Sequence, residues 1–306
     1  MTSINTALSA ISLGQPQAFA NLEMFPLLAP GSGVADYLLL SEAQAQGLVE
    51  VTEVSEAGRV ATLLLDNRAG QAVFLLDGEE LVGAKQNRVL NLSLLVPANS
   101  TLEIPVSCVE QGRWQHRTRE FACADRTLFS KGRARKAARV SENLRDAGVA
   151  CSDQGEVWLD IDDMMRKLEV SSSTYAIADA YEHFAAPVEA FVAAMEVSAS
   201  QVGACFAING SIRGVELFDS SDTCARLLPK LIRGYALDAI NEPQAPGASD
   251  PGDVRQFLQA VAASEVDQFR ALGEGEDFRF RSSAIAGGAL AARDRIVHLC
   301  AFQQQH

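Results

Sequence analysis

Apolar positions in the first third of the chain recur with period two or in short runs, which is the spacing of strands. Tyr37 to Leu40, Val60 to Leu65 and Ala72 to Leu76 are such runs, bounded by Gly, Asn and Asp. Arg88 to Val96 and Thr101 to Val106 follow, separated by the turn Pro97-Ala98-Asn99-Ser100. In the first of these, Val89, Asn91, Ser93 and Leu95 share one face, and Leu90, Leu92, Leu94 and Val96 the other. That alternation predicts a strand with one buried face. Folding the second run back on the first makes a hairpin whose open end sets Gln86 to Arg88 beside Cys108 to Glu110.

The middle of the chain changes period. Leu128 to Ala147 is rich in helix formers and stops at Gly148, and Val157 to Leu168 continues the theme. Ser173 or Thr174 could cap a further helix in which Ile177, Tyr181, Phe184, Val188, Phe191 and Met195 recur at helical spacing, with a kink or break at Pro187. The last third opens on a hairpin, Gly203 to Ile208 and Ile212 to Phe218, joined by Asn209-Gly210. A helix from the capping cluster 219–222 to about Ile240, a loop from Asn241 to Gly252 and a short helix from Val254 to Ala263 follow. Phe278 to Arg281, Ala284 to Ala291 and Ile296 to Phe302 read as closing strands. This order predicts an α+β fold with a mostly antiparallel or mixed sheet. The expected organisation is a single domain over 1–306: β-rich over 20–120, helical over 124–196 and mixed over 203–302.

Composition narrows the function classes. No apolar stretch approaches the roughly 18 residues of a membrane span. Met1 to Pro16 lacks a basic segment ahead of an apolar block, so the expected location is the cytoplasm. The cysteines at 108, 123, 151, 205, 224 and 300 have no metal-ribbon spacing and read as reduced thiols. The histidines at 116, 183, 298 and 306 form no metal motif, so no metal site is expected, and no cofactor is named by the sequence. His298 shares a strand face with Ile296, Cys300 and Phe302 and reads as a packed core histidine. A net charge of −13 argues against nucleic-acid binding. Within it, Arg113 to Arg145 carries ten basic and three acidic residues, a local +7 against −20 for the remainder. Such a segment suits a phosphate-bearing ligand or an acidic protein partner, or it is a helix face balanced by neighbouring acids.

The candidate chemistry lies in two patches, 77–91 and 108–114. Adjacent in sequence, Glu79 and Glu80 point to opposite sides of an extended segment, so only one readily faces a pocket. Glu80 with Glu110 could act as an acid/base pair, one of them with a raised pKa; alternatively these acids bond to Lys85, Arg88, Arg113 or backbone amides and fix a loop. Lys85, Arg88 and Arg113 suit phosphate. Gln86, Asn87 and Gln111 can read a sugar or base edge. Trp114 offers a stacking face. Cys108 is a candidate nucleophile if nearby cations stabilise a thiolate, or a small buried apolar residue otherwise. Gly78 and Gly83 bracket the acids and suggest tight turns whose amides could meet an anion.

The segments LDGEELVGAKQNRVLN and IPVSCVEQGRW resemble a bacterial domain family named for its association with ADP-ribosylglycohydrolases and rhodanese-type phosphatases, also classed as a domain of unknown function. Gly214 to Asp219 and Val297-His298-Leu299 are similar to its pattern, and the resemblance runs from about residue 15 to the last strand. It implies work on NAD-derived nucleotides or ADP-ribose conjugates. The expected function is therefore binding, with processing a possible further step, of an NAD-derived or ADP-ribose-like ligand. The alternative is a non-catalytic sensor or interaction domain that docks an acidic partner through 113–145. A Glu110→Gln change separates them, since it abolishes turnover only where turnover exists.

Overall fold

The alternating N-terminal pattern becomes two sheets in the computed structural model, which describes residues 3–29, 33–55, 58–245 and 247–304. Met1, Thr2, His306 and, within the loop predicted over Asn241 to Gly252, Pro246 lie outside the described residues. Six antiparallel strands run in the order Phe121–Thr127, Glu79–Gly83, Arg88–Leu90, Ser100–Cys108, Thr62–Asn67, Val49–Glu53. Leu94–Val96, Val73–Leu75 and Leu38–Leu39 form a smaller sheet, the last two strands parallel.

The stretch from Arg88 to Val96 is where these sheets part. Predicted as one strand with a solvent face, it is two short strands buried on both faces. Its polar positions explain the break. Asn91 Nδ2 donates to Ala150 O at 3.2 Å, and its Oδ1 accepts from the Ser107 hydroxyl at 2.6 Å. Ser93 Oγ accepts the Asp77 amide at 2.9 Å. Buried polar groups need such partners, and the chain leaves the ladder to reach them. The first half keeps the predicted hairpin register, with Val106 opposite Leu90 and Cys108 opposite Arg88. The second half crosses over to pair with Val73–Leu75.

The C-terminal third supplies six of the nine strands described in the large sheet, built around the Gln201–Ile208 and Ser211–Phe218 hairpin, and Ser12–Leu13, Gln17–Phe19 and Leu22–Leu28 supply the other three. Its turn, Asn209-Gly210, takes positive φ at both residues, 52° and 75°, as a tight primed turn requires. The closing strands are Glu276–Phe280, Ile285–Ala292 and Arg295–Gln303, joined at the edge by Val266–Arg270, which the pattern did not indicate. Helices occupy the middle as expected, and Ser130–Ala147 ends at Gly148 in the left-handed conformation. The expected break near Pro187 falls at Phe184 instead. This leaves Pro187 in the first turn of Ala185–Ala193, where no amide donor is needed. Ser172, not Ser173 or Thr174, accepts the amides ahead of the Ile177–His183 helix. Eight helices among the described residues, set in blocks beside antiparallel and mixed sheets, make this an α+β fold. No helix among the described residues is long and apolar enough to cross a membrane.

Helix Ser221–Asn241 packs on both Gln201–Ile208 and Phe121–Thr127, and Ser130–Ala147 packs on Ile285–Ala292. Where these elements meet, the interior is charged. Arg133 reaches Asp77 at 3.3 Å and forks Glu216, and Lys136 reaches Asp77 at 3.0 Å. Arg279 pairs with Asp277 at 2.8 Å. Three acids thus face three bases, all buried. Gly78, at φ +76, has room for no Cβ because the Arg133 side chain lies 2.6 Å from that position. Ser93 Oγ, which accepts the Asp77 amide, also shares a hydrogen bond with His298 Nδ1 at 2.8 Å, and on the other side of the ring the Glu216 carboxylate accepts from His298 Nε2–H at 3.1 Å. His298 is buried as expected, but it is a hydrogen-bonded link and not simply packed.

Candidate functional site

The turn between Glu79–Gly83 and Arg88–Leu90 carries Lys85, Gln86 and Asn87 and delivers Arg88. Gly83 opens it at φ +140, where a Cβ would meet Glu120 O at 2.4 Å. The chain from Cys108 to Trp114 lies alongside: Val109 N donates to Asn87 O at 3.0 Å and Gln86 Nε2 to Gln111 O at 3.3 Å. The two polar patches therefore meet at the open end of the hairpin. Their side chains sort into three groups.

Glu79 points toward helix Ser221–Asn241, where Lys230 and the Cys123 thiol bond to it. Glu80 and Glu110 bracket Asn87, whose Nδ2 donates to Glu80 and whose backbone N donates to Glu110, each at 3.1 Å. Arg126 closes on Glu80, and Arg113 forks Glu110 at 2.8 and 2.6 Å. Burial alone would raise the Glu110 pKa, but the Arg113 guanidinium and the Asn87 amide hold it below the usual carboxylate range. Glu110 thus has no proton to give at neutral pH, and its oxygens are filled. The pair considered for acid/base work is built as a clamp that fixes the turn. The amides after Gly83 are spent inside as well, Ala84 N on Thr118 Oγ1 at 3.0 Å.

The third group is Gln86, Arg88, Cys108, Lys85 and Trp114. Arg88 is fully buried, and its Nη1 donates to Gln86 Oε1 at 3.1 Å. The Cys108 thiol donates to the same oxygen at 3.1 Å. Burial pushes that thiol up to about 11 despite the nearby Arg88 charge, so it is protonated near neutrality and is no ready nucleophile. Trp114, 44% exposed, sets its ring 5.6 Å from the Arg88 guanidinium and 5.3 Å from Lys85 Nζ. Gln111 is exposed at the rim.

What is unbalanced is the other edge of Arg88. Its Nε and Nη2 are buried without a hydrogen-bond partner. This is the edge through which a guanidinium forks a carboxylate or phosphate. The acid nearest to it, Glu53, stands 3.9 Å from Nη2, and both Glu53 oxygens are buried and equally without a hydrogen bond. Sequence reasoning missed Glu53, although the register marks it. Val49, Val51 and Glu53 share a face of one strand, and both valines are buried. Glu53 also lines an open cleft of about 810 Å³ together with Thr52, Ser55, His116 and Arg119.

A second cavity, of about 500 Å³, lies by helices Ser130–Ala147 and Gln154–Lys167. Its arginines are already engaged: Arg135 by Asp160, Arg139 by Glu142 and Glu156, Arg213 by Glu242. Asp238 on its wall accepts from Ser130 Oγ and Lys131 N, and burial pushes its pKa up to about 6. An unfolded aspartate titrates near ~3.9, so the folded chain holds this proton more tightly. The site favours folding most below about pH 4 and loses that contribution as pH rises through about 6. Asp238→Asn keeps an acceptor without the charge. We expect it to raise stability at pH 8 by about 1–3 kcal/mol and to change it little at pH 4, in urea melts at both values.

The basic segment is largely compensated from within. Arg133 and Lys136 are interior, Arg113 and Arg117 lie on Glu110, Arg126 on Glu80 and Arg145 on Asp267. Among the described residues no three His, Cys, Asp or Glu side chains are grouped to hold a metal ion. The model of one family, described as ARPP-1, ARG and Rhodanese-Phosphatase-superfamily-associated Protein domain, matches residues 10–302. No curated protein and no solved structure matches the chain.

Proposed function

The chain belongs to the ARG and Rhodanese-Phosphatase-superfamily-associated Protein domain family, and from that premise we propose that the cleft lined by Glu53, together with the buried Arg88 guanidinium 3.9 Å from that acid and the Trp114 ring against it, binds an NAD-derived, ADP-ribose-like ligand. ARG abbreviates ADP-ribosylglycohydrolase, so the family name itself points to ADP-ribose chemistry, here in a bacterial cytoplasm. The observation that carries the proposal is the unanswered Nε/Nη2 edge of Arg88. A buried donor left without a partner costs about 1–3 kcal/mol. A phosphate of the ligand removes that cost by taking both donors at once.

The other residues fit the same ligand. Trp114 is partly exposed and offers a ring for the base to stack on, and Lys85 beside it adds charge near the phosphates. Gln86 holds Arg88 in place, and Gln111 lies at the rim for a sugar or base edge. Asn87, Glu80, Glu110 and Arg113 act one step back by locking the turn. Glu79 faces away from this cleft. Binding, not turnover, is what these residues support, since the Cys108 thiol is protonated and the Glu110 oxygens are occupied. The acidic-partner alternative is not favoured, because most arginines and lysines it needs are paired or buried.

A ligand that binds only the folded chain, present at 100 times its dissociation constant, adds about 2.7 kcal/mol of stability. We expect ADP-ribose to raise the melting temperature and Arg88→Lys to remove that rise, since lysine keeps the charge and loses the fork. No shift with ADP-ribose or NAD in the wild type would reject the proposal and send the search to protein partners.

A further inference from the structure

Among the described acids of the cleft wall, Glu53 is the one without a hydrogen bond. Glu50 is taken by Arg68, and Asp66 by Arg68 at 2.7 Å and by Thr101 Oγ1 at 3.1 Å. Glu53 has only Arg88, at 3.9 Å, a distance of charge attraction without a hydrogen bond. Its side chain is 5% exposed, yet it lines the cleft, and neither oxygen has a hydrogen-bond partner.

The chemistry of that gap restricts what can fill it. An atom between the carboxylate and the guanidinium must donate to one and accept from the other. A protonated amine or a metal cation donates or coordinates but cannot accept from Arg88. A phosphate oxygen accepts but has nothing to give Glu53. A hydroxyl does both, and so does the water that a ligand hydroxyl would displace. Two open carboxylate oxygens ask for two such donors, which neighbouring hydroxyls on one sugar ring supply. Arg88 Nη2 carries two protons, so it can meet a hydroxyl while its shared edge with Nε meets a phosphate.

We infer that Glu53 reads the vicinal diol of a ribose whose phosphate lies on Arg88, and so sets the cleft's preference for ribo- over deoxyribo-ligands. This rests on the nucleotide reading of the same cleft. Hydrogen bonds from an uncharged donor to a charged acceptor are strong enough that losing one shifts affinity by about tenfold or more.

Ribose 5-phosphate and 2-deoxyribose 5-phosphate differ by one hydroxyl and are the probes, with ADP-ribose as reference. We expect the wild type to bind ribose 5-phosphate at least about tenfold more tightly than the deoxy compound. In Glu53→Gln the two affinities should converge, through loss of ribose 5-phosphate binding. Glu53→Asp, which keeps the charge facing Arg88 while shortening the side chain, should also lower the ratio, and it serves if the glutamine variant does not fold. Equal affinities in the wild type, or a ratio unchanged in a folded Glu53 variant, would overturn the diol role while leaving the nucleotide pocket standing. Failure of all three compounds to bind the wild type overturns both.

Discussion

Replacing Glu216 by alanine should cost the fold about 3–5 kcal/mol, the cost of leaving a buried charge without its partner. Glu216 is fully buried and is forked by Arg133 while it accepts from His298. Removing it strands Arg133 with Asp77 alone at 3.3 Å, and Asp77 must already answer Lys136. Domains have about 5–15 kcal/mol in total, so much of the margin goes. Glu216→Gln loses the charge but keeps one acceptor oxygen, which can still meet His298 and one arm of Arg133, and should cost less than alanine. Urea denaturation of the three proteins checks this. A loss under about 1 kcal/mol for alanine would mean that the charged junction does not organise the interior.

The opposite behaviour is expected at the cleft. Arg88→Met together with Glu53→Leu removes a buried guanidinium with two unpartnered nitrogens, its one bond going to Gln86, and a buried carboxylate with no hydrogen bond. Replacing a poorly satisfied buried pair with apolar side chains of similar volume is neutral or stabilising, by as much as about 1–4 kcal/mol. The double variant should therefore be at least as stable as the wild type and should fail to bind ADP-ribose. Each single change strands one charge and should be less stable than the double. This contrast separates a pair retained for a ligand from one retained for the fold. A double variant several kcal/mol less stable than the wild type would place Arg88 and Glu53 with Glu216, as parts of the interior.

What the sequence revealed depended on how local the cause was. The Asn209-Gly210 hairpin was legible because its two residues alone decide the turn. The meeting of Gln86–Arg88 with Cys108–Glu110 was legible because one hairpin register enforces it. The Phe121–Thr127 strand was not, since FACADRT has no alternating apolar face. It pairs because Cys123 and Arg126 answer Glu79 and Glu80 across the ladder. Leu22–Leu28 was missed as well, a strand near one edge of the large sheet whose long partner, Gln201–Ile208, lies far along the chain.

The charged residues show the same limit. Arg133 and Lys136 read as members of a basic patch, because their acids, Asp77 and Glu216, are remote in sequence. The family-like segments around Glu216 and His298 were legible as motifs, but their shared contact required the fold. Glu53 could have been found: a carboxylate two residues beyond two inward valines on a strand is itself inward, and a buried acid needs a reason.

The most direct test is calorimetric titration of ADP-ribose into the wild type and into Arg88→Lys. Saturable binding by the wild type, weakened at least about tenfold by the lysine change, is the expected result. Absence of binding, or equal affinity in both proteins, would contradict the assignment of the unpartnered Arg88 edge to a ligand phosphate.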